Sequence, residues 1–266
     1  MTSKRSSILT AVMLLLILAV VPMQARQGTS TPVPQVQAPG SAPATPRPAP
    51  AFYRNLVVLD PAHGGRDSGS QISGTAAEKD ITLTLAQKLR PALVAQGFTV
   101  VTTRDSDPAD ELPTEFRAGI ANHNRPIACV LLHATGSGAG VHVVYSSLPE
   151  AKEKPSTAVL PWERAQVPMI AMSSRLANEL GLALENAHIQ ALLFRASVPP
   201  IDNLICPAVA VEVSPLKSDS GKSVPVTDSS YQQRVVDAIA AAVASFRTDN
   251  APAPSQSSAG HAGVSQ

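Results

Sequence analysis

Five short apolar runs, set apart by helix-length segments, constrain this chain more than any other feature. NLVVLD (55–60), FTVVTTR (98–104), IACVLLHAT (127–135) and AVAVEV (208–213) are rich in β-branched residues, and GVHVVYSS (140–147) joins them. Most are continuous rather than alternating, as strands covered on both faces must be. Between them the pattern turns helical. Residues 77–96 place Ile81, Leu85, Leu89 and Leu93 four apart and stop before Gly97, with Pro91 expected to kink the helix. Residues 113–124, 166–185 and 229–247 supply three more helices, the last carrying Val235, Ile239 and Val243. Such alternation predicts an α/β fold: a single domain with a mostly parallel twisted sheet and helices on both faces.

The chain has 266 residues, but its ends subtract from that domain. Residues 1–25 open with Lys4 and Arg5, run apolar from Ile8 to Val21, and close on Pro22 and Ala25. This is the shape of a secretory signal peptide, and the apolar stretch is short for a membrane span. A removed signal is the favoured reading. A retained N-terminal membrane anchor stays open, because Met23 sits where a small residue usually precedes the cleavage site. Both readings export the protein, to the periplasm or beyond the cell. Residues 26–51 and the tail 249–266 are rich in Pro, Ala, Ser and Gln with few large apolar side chains. Segments like these bury too little surface to offset their ordering entropy and are expected to be extended tethers. The folded domain is therefore placed at 52–248, a length that supports a sizeable core. Net charge of +1 and 3% aromatics offer no basic stripe and no stacking platform, which excludes nucleic acid as a partner.

In parallel sheets, ligands collect outside the carboxyl ends of the strands. His63 follows the first run in DPAHGG (60–65), His133 closes the third, and Glu212 closes the last. Each has a plain alternative. His63 fits a loop histidine bonded to backbone, and His133 fits a satisfied core histidine. Glu212, flanked by valines, is harder to dismiss, since a buried carboxylate needs a partner or a shifted pKa. Glu78 closes TAAE (75–78), which reads as a Thr-x-x-Glu capping box. His123, His142, His188 and His261 show no partner pattern and are read as structural or solvated. Taken together, two imidazoles and a carboxylate at one sheet edge make a zinc set with a fourth position for water, and a further acid completes the needs of metal-assisted hydrolysis.

In its ordered motifs the sequence resembles the zinc-dependent bacterial cell-wall amidases, the N-acetylmuramoyl-L-alanine amidases. The family pattern is an Asp-Pro-Gly-His-Gly-Gly turn, a Glu at a helix start, a Ser-x-His-x-Asn strand end and a Pro-Ala-x-x-x-Glu strand. The matching stretches are DPAHGG (60–65), AEKDITL (77–83), LLHAT (131–135) and PAVAVEV (207–213), with TRDSD (103–107) and RAGIAN (117–122) as spacers. The resemblance implies zinc ligands His63, Glu78 and His133, and Glu212 as catalytic acid/base. It implies an enzyme acting on peptidoglycan, cutting the amide between N-acetylmuramic acid and L-alanine of the stem peptide; a monomer is expected. Arg104 and Arg117 are implied to be scaffold or substrate-edge residues. A non-catalytic wall-binding protein that keeps zinc for stability, and a zinc hydrolase for another amide, are the rival readings. Ala62, Leu131 and Thr135 depart from the family's Gly, Ser and Asn, and VSPLKSD follows Glu212 in place of Gly-Phe-x-x-Asn. If position 62 needs a positive φ, the turn there is strained.

Two further expectations follow. Some members of the family carry an inserted regulatory helix before the catalytic acid. Here the corresponding segment, 148–165, holds three prolines, so no long plug helix is expected, while reach of Glu150, Glu153 or Glu163 to the zinc from a loop stays open. Cys129 and Cys206 lie four and six residues ahead of His133 and Glu212. An exported protein invites pairing. The unequal spacing favours reduced core cysteines over a disulfide.

Overall fold

Each run expected to be a strand is one: β1 (Tyr53–Pro61), β2 (Thr99–Thr102), β3 (Pro126–Ala134), β4 (Val141–Ser146) and, after an unexpected β5 (Ala191–Ala196), β6 (Ala208–Val213). The computed structural model describes residues 53–150, 159–217 and 221–250. The expected signal or anchor, the linker, the tail beyond Asn250 and the segment holding Glu153 lie outside the described residues. No described helix is long and apolar enough to cross a membrane.

The six strands form one sheet in the order β2-β1-β3-β6-β4-β5. β2, β1, β3 and β6 are mutually parallel, whereas β4 runs antiparallel to β6 and carries β5 parallel to itself. The sheet is thus mostly parallel, with one reversal between β6 and β4. β3 sits at its centre and is apolar on both faces, with Ala128, Val130 and Leu132 in one core cluster and Cys129 and Leu131 in the other. A short hairpin, β7 (Leu216–Lys217) with β8 (Ser223–Val224), follows β6.

Among the described residues four α-helices cover the sheet: α1 (Glu78–Ala95), α2 (Thr114–Asn124), α3 (Ile170–Asn186) and α4 (Ser229–Asp249). α1, α3 and α4 bury leucines, valines and alanines in the larger cluster, while α2 supplies Ala118 and Ala121 to the smaller. Asp228 caps α4 by accepting from the Tyr231 amide at 2.8 Å. α1 continues through Pro91. Among the described residues between β4 and α3 there are two single-turn 3-10 helices, Trp162–Arg164 and Val167–Met169, and both Glu150 and Glu163 are solvent-exposed.

Two expectations are corrected. Thr75 and Glu78 form no capping box, because the N-cap is Ala77 and its amide is satisfied by the Asp80 carboxylate at 3.2 Å. Glu78 is thereby released from capping and turns inward. Cys129 and Cys206 are joined in a buried disulfide with Cα atoms 6.2 Å apart. Register pairs Cys129 with Ala208, and Cys206 sits two residues earlier in the irregular approach to β6. That approach absorbs the difference in spacing.

The bridge spans 77 residues, so its loss should cost about 4 kcal/mol on the chain-entropy account. Urea unfolding with and without reductant measures this, and two free thiols in the denatured, unreduced protein would refute the bridge. Tyr231 offers a second test. Its buried hydroxyl donates to the Ser214 carbonyl at 2.8 Å, and burial pushes the phenol up to about 12. A folded pKa above the unfolded value gives stability that is full below pH about 10 and lost as pH rises towards about 12. Relative to Tyr231→Phe, the wild type should lose on the order of 2 kcal/mol across that window.

Candidate metal centre

The loop from β1 to α1 builds one wall of the site. Ala62 is held by its amide N–H, which donates to the Leu132 carbonyl at 3.0 Å, and its own carbonyl accepts from Thr82 Oγ1 and the Arg104 guanidinium. Ala62 has no positive φ. The left-handed backbone falls on His63 instead, at φ 63°, a conformation uncommon for a non-glycine residue. Gly64 pairs with Asp67 in a tight turn, and the Asp67 carboxylate bonds His63 Nδ1 at 2.7 Å and accepts from the Gly69 amide. This turns His63 Nε2 towards Glu78, 3.1 Å from Oε2. Gly69, at φ +63°, has no room for a side chain, since a Cβ would stand 2.6 Å from His63 Cδ2 and 2.8 Å from Glu78 Oε2.

Glu78 is the first residue of α1 and is buried. Its Oε1 faces His133 Nδ1 at 3.0 Å and accepts from the Ala134 amide at 3.1 Å, while Oε2 accepts from the Ser70 amide at 3.0 Å. Burial alone would raise the pKa of this carboxyl, but the hydrogen bonds from both imidazoles and two amides outweigh it and hold it far below the usual carboxylate range. The reciprocal effect raises His63, chiefly through its bond to Glu78 and against the opposing effect of burial. The rings of His63 and His133 meet edge to face, 5.6 Å apart. Ligand atoms from His63, Glu78 and His133 lie within 4.8 Å of one another, and His133 Nε2 is buried with no hydrogen-bond partner. Two imidazoles and a carboxylate converging in this way fit a divalent cation of the zinc class.

Glu212 is beside this group. In the β3–β6 ladder it is the lateral partner of His133. The strand-end position leaves its side chain 41% exposed, so the expectation of a buried carboxylate does not hold. Its partner is one that sequence reasoning missed: His142 Nδ1 lies 2.9 Å from Glu212 Oε1. His142 was sought at no site because it opens its strand rather than closing it, and the reversal of β4 is what brings it to this edge. Arg104 and Arg117 stay in the scaffold. Arg104 ties the carbonyls of Pro61, Ala62 and Lys79, and Arg117 bonds Asp60 at 2.8 Å.

A family model described as N-acetylmuramoyl-L-alanine amidase matches residues 57–245. The chain belongs to that family. A germination-specific N-acetylmuramoyl-L-alanine amidase of Bacillus subtilis is 46% identical over 52 residues, 20% of this chain and 22% of the relative. An N-acetylmuramoyl-L-alanine amidase of Mycobacterium tuberculosis is 36% identical over 133 residues, 41% of this chain and 54% of the relative. The chain therefore spans about a fifth to a half of the length of these curated relatives. Among solved structures, the N-acetylmuramyl-L-alanine amidase of Mycobacterium smegmatis has a TM-score of 0.56 at 25% identity, covering 73% of this chain and 97% of that one.

Against the amidase motifs, Leu131 is buried in the smaller core cluster and Thr135 donates its amide to the Val213 carbonyl, so neither departure displaces a site residue. Asp67 is the group that orients His63. Asp67→Ala should lower affinity for a divalent metal by about 10–100-fold, the usual effect of losing such an orienting carboxylate. Competition against a chromogenic chelator measures it, and an unchanged affinity would mean that backbone alone sets the ring.

Proposed function

We propose that this protein is an exported zinc-dependent peptidoglycan amidase, which hydrolyses the amide between N-acetylmuramic acid and L-alanine of the stem peptide. His63, Glu78 and His133 would hold the metal, and Glu212 would serve as general base and acid. The observation that carries this reading is the lateral pairing of Glu212 with His133, which sets an accessible carboxylate level with the three-residue cluster. Family membership and the cell-wall amidases among its relatives support the choice of substrate.

Zinc bound at such a set supplies a polarised carbonyl and an acidified water. The chain's own part is to hold and move protons. Asp67 fixes the His63 ring, and the amides of Ser70 and Ala134 fix the two oxygens of Glu78, so the ligand set is organised before the substrate arrives. Glu212 takes the proton from the water that attacks the lactyl carbonyl. As the carbon–nitrogen bond breaks, it returns that proton to the amine of L-alanine. The products are a free lactyl carboxylate on the sugar and a peptide with a new L-alanine amino terminus. We further propose that the protein works as a monomer, held by its amino-terminal anchor or released by cleavage of a signal.

Digestion of purified peptidoglycan should release peptides beginning with free L-alanine, and a chelator should stop it. Glu212→Gln should keep zinc while turnover falls about 10²–10⁴-fold. His63→Ala and His133→Ala should lose both. A Glu212→Gln protein emptied of zinc would overturn this division of roles, and fragments lacking an L-alanine terminus would overturn the substrate.

A further inference from the structure

We propose that His142 is the positioning residue of the catalytic acid, fixing Glu212 beside the group of His63, Glu78 and His133; the inference rests on the role given to Glu212 above. Three observations meet at this side chain. The first is the hydrogen bond of 2.9 Å from His142 Nδ1 to Glu212 Oε1. An ionised carboxylate only accepts, so Nδ1 carries the proton and donates it. One oxygen of Glu212 is thereby held while the other is left to exchange a proton.

The second is the register. His142 and Glu212 are directly opposed in the antiparallel β4–β6 pair, and Glu212 is in turn paired with His133 across the parallel β3–β6 ladder. The row His133–Glu212–His142 crosses three adjacent strands on one face of the sheet, the face whose lower rows hold Leu131, Ala210 and Val144. Lateral partners on one face are the closest neighbours that a sheet provides. The bond therefore needs no flexible reach.

The third is the support behind the ring. Phe194, on the neighbouring β5, packs edge to face against His142 with centroids 6.0 Å apart. Phe194 is itself 40% exposed, so this ring contact stands at the open edge of the sheet. The Glu212 side chain is partly open to solvent, at 41% exposure. A free glutamate there would spread over several rotamers. The order Phe194, His142, Glu212 restrains it through a chain of two contacts.

Steady-state kinetics on a soluble muramoyl tripeptide test this in the full-length, zinc-loaded protein. His142→Ala should lower kcat by roughly 10–100-fold, the scale of a misplaced catalytic group, with KM changed less than about twofold and zinc content unchanged. His142→Asn should restore much of kcat, because its amide nitrogen takes the place of Nδ1, and this variant guards against a mere folding defect in the alanine protein. In a Glu212→Gln background, His142→Ala should have no further effect, since the two residues act as one unit. Wild-type kcat in His142→Ala, or an equal loss in both backgrounds, would overturn the inference while leaving Glu212 in its role. Wild-type turnover in Glu212→Gln is a separate result and would overturn that role itself.

Discussion

The Glu78 carboxylate draws together segments that are distant in the chain, and the arrangement of the sheet edge depends on it. It faces His63 from the loop after β1 and His133 from the end of β3, and it accepts from the amides of Ser70 and Ala134. Its position at the first turn of α1 places the negative charge at the positive end of the helix, which favours the ionised form. Four hydrogen-bonding partners and a helix terminus together outweigh the desolvation of a buried anion. Remove that charge and the two imidazoles lose their common neighbour, while two buried amides lose their acceptor.

The rest of the edge is organised to keep this anion in place. Arg104 is buried beneath the loop and gathers three carbonyls from Pro61, Ala62 and Lys79, so the turn that presents His63 cannot drift away from α1. Lys79, the residue after Glu78, reaches back to the Gly65 carbonyl and to Asp107, which in turn accepts from the Gly65 amide. The departure at position 62 is tolerated because the demand for left-handed backbone falls one residue later. At position 63 the strain is borne by a side chain anchored on both sides, by Asp67 and by Glu78.

Much of this was legible in the sequence, and the parts that were not have physical reasons. Continuous apolar runs announced β1, β3 and β6 because both of their faces are covered. β5 escaped notice because ALLFRA lacks β-branched residues and lies at a sheet edge, where Leu192 and Phe194 face solvent. His63, His133 and Glu212 could be placed at one edge from the rule that parallel strands gather ligands at their carboxyl ends. The same rule hid His142, since it does not describe an antiparallel strand. Glu78 was obscured by local chemistry: Thr-x-x-Glu spacing looks like a cap, and only the fold reveals that Asp80 does that work. The disulfide is not legible in residue spacing, because counting back from His133 and Glu212 holds only where both approaches are regular strand, and the approach to β6 is not.

That disulfide also bears on how the site keeps its alignment. Cys129 stands at the amino-terminal end of the β3–β6 ladder and Cys206 two residues before β6, and His133 lies four residues beyond Cys129, roughly 13 Å at the rise of a parallel strand. A slip of β6 by one residue would point every side chain to the opposite face, sending Glu212 into the α1 side and a valine into its place. Hydrogen bonds alone permit such slippage in an apolar strand whose neighbours, Val211 and Val213, differ little from one another. The covalent bridge makes the phase of the two strands part of the primary chemistry of the oxidised chain. Pairing of His133 with Glu212 is then inherited from a bond formed at the far end of the ladder, away from the open edge.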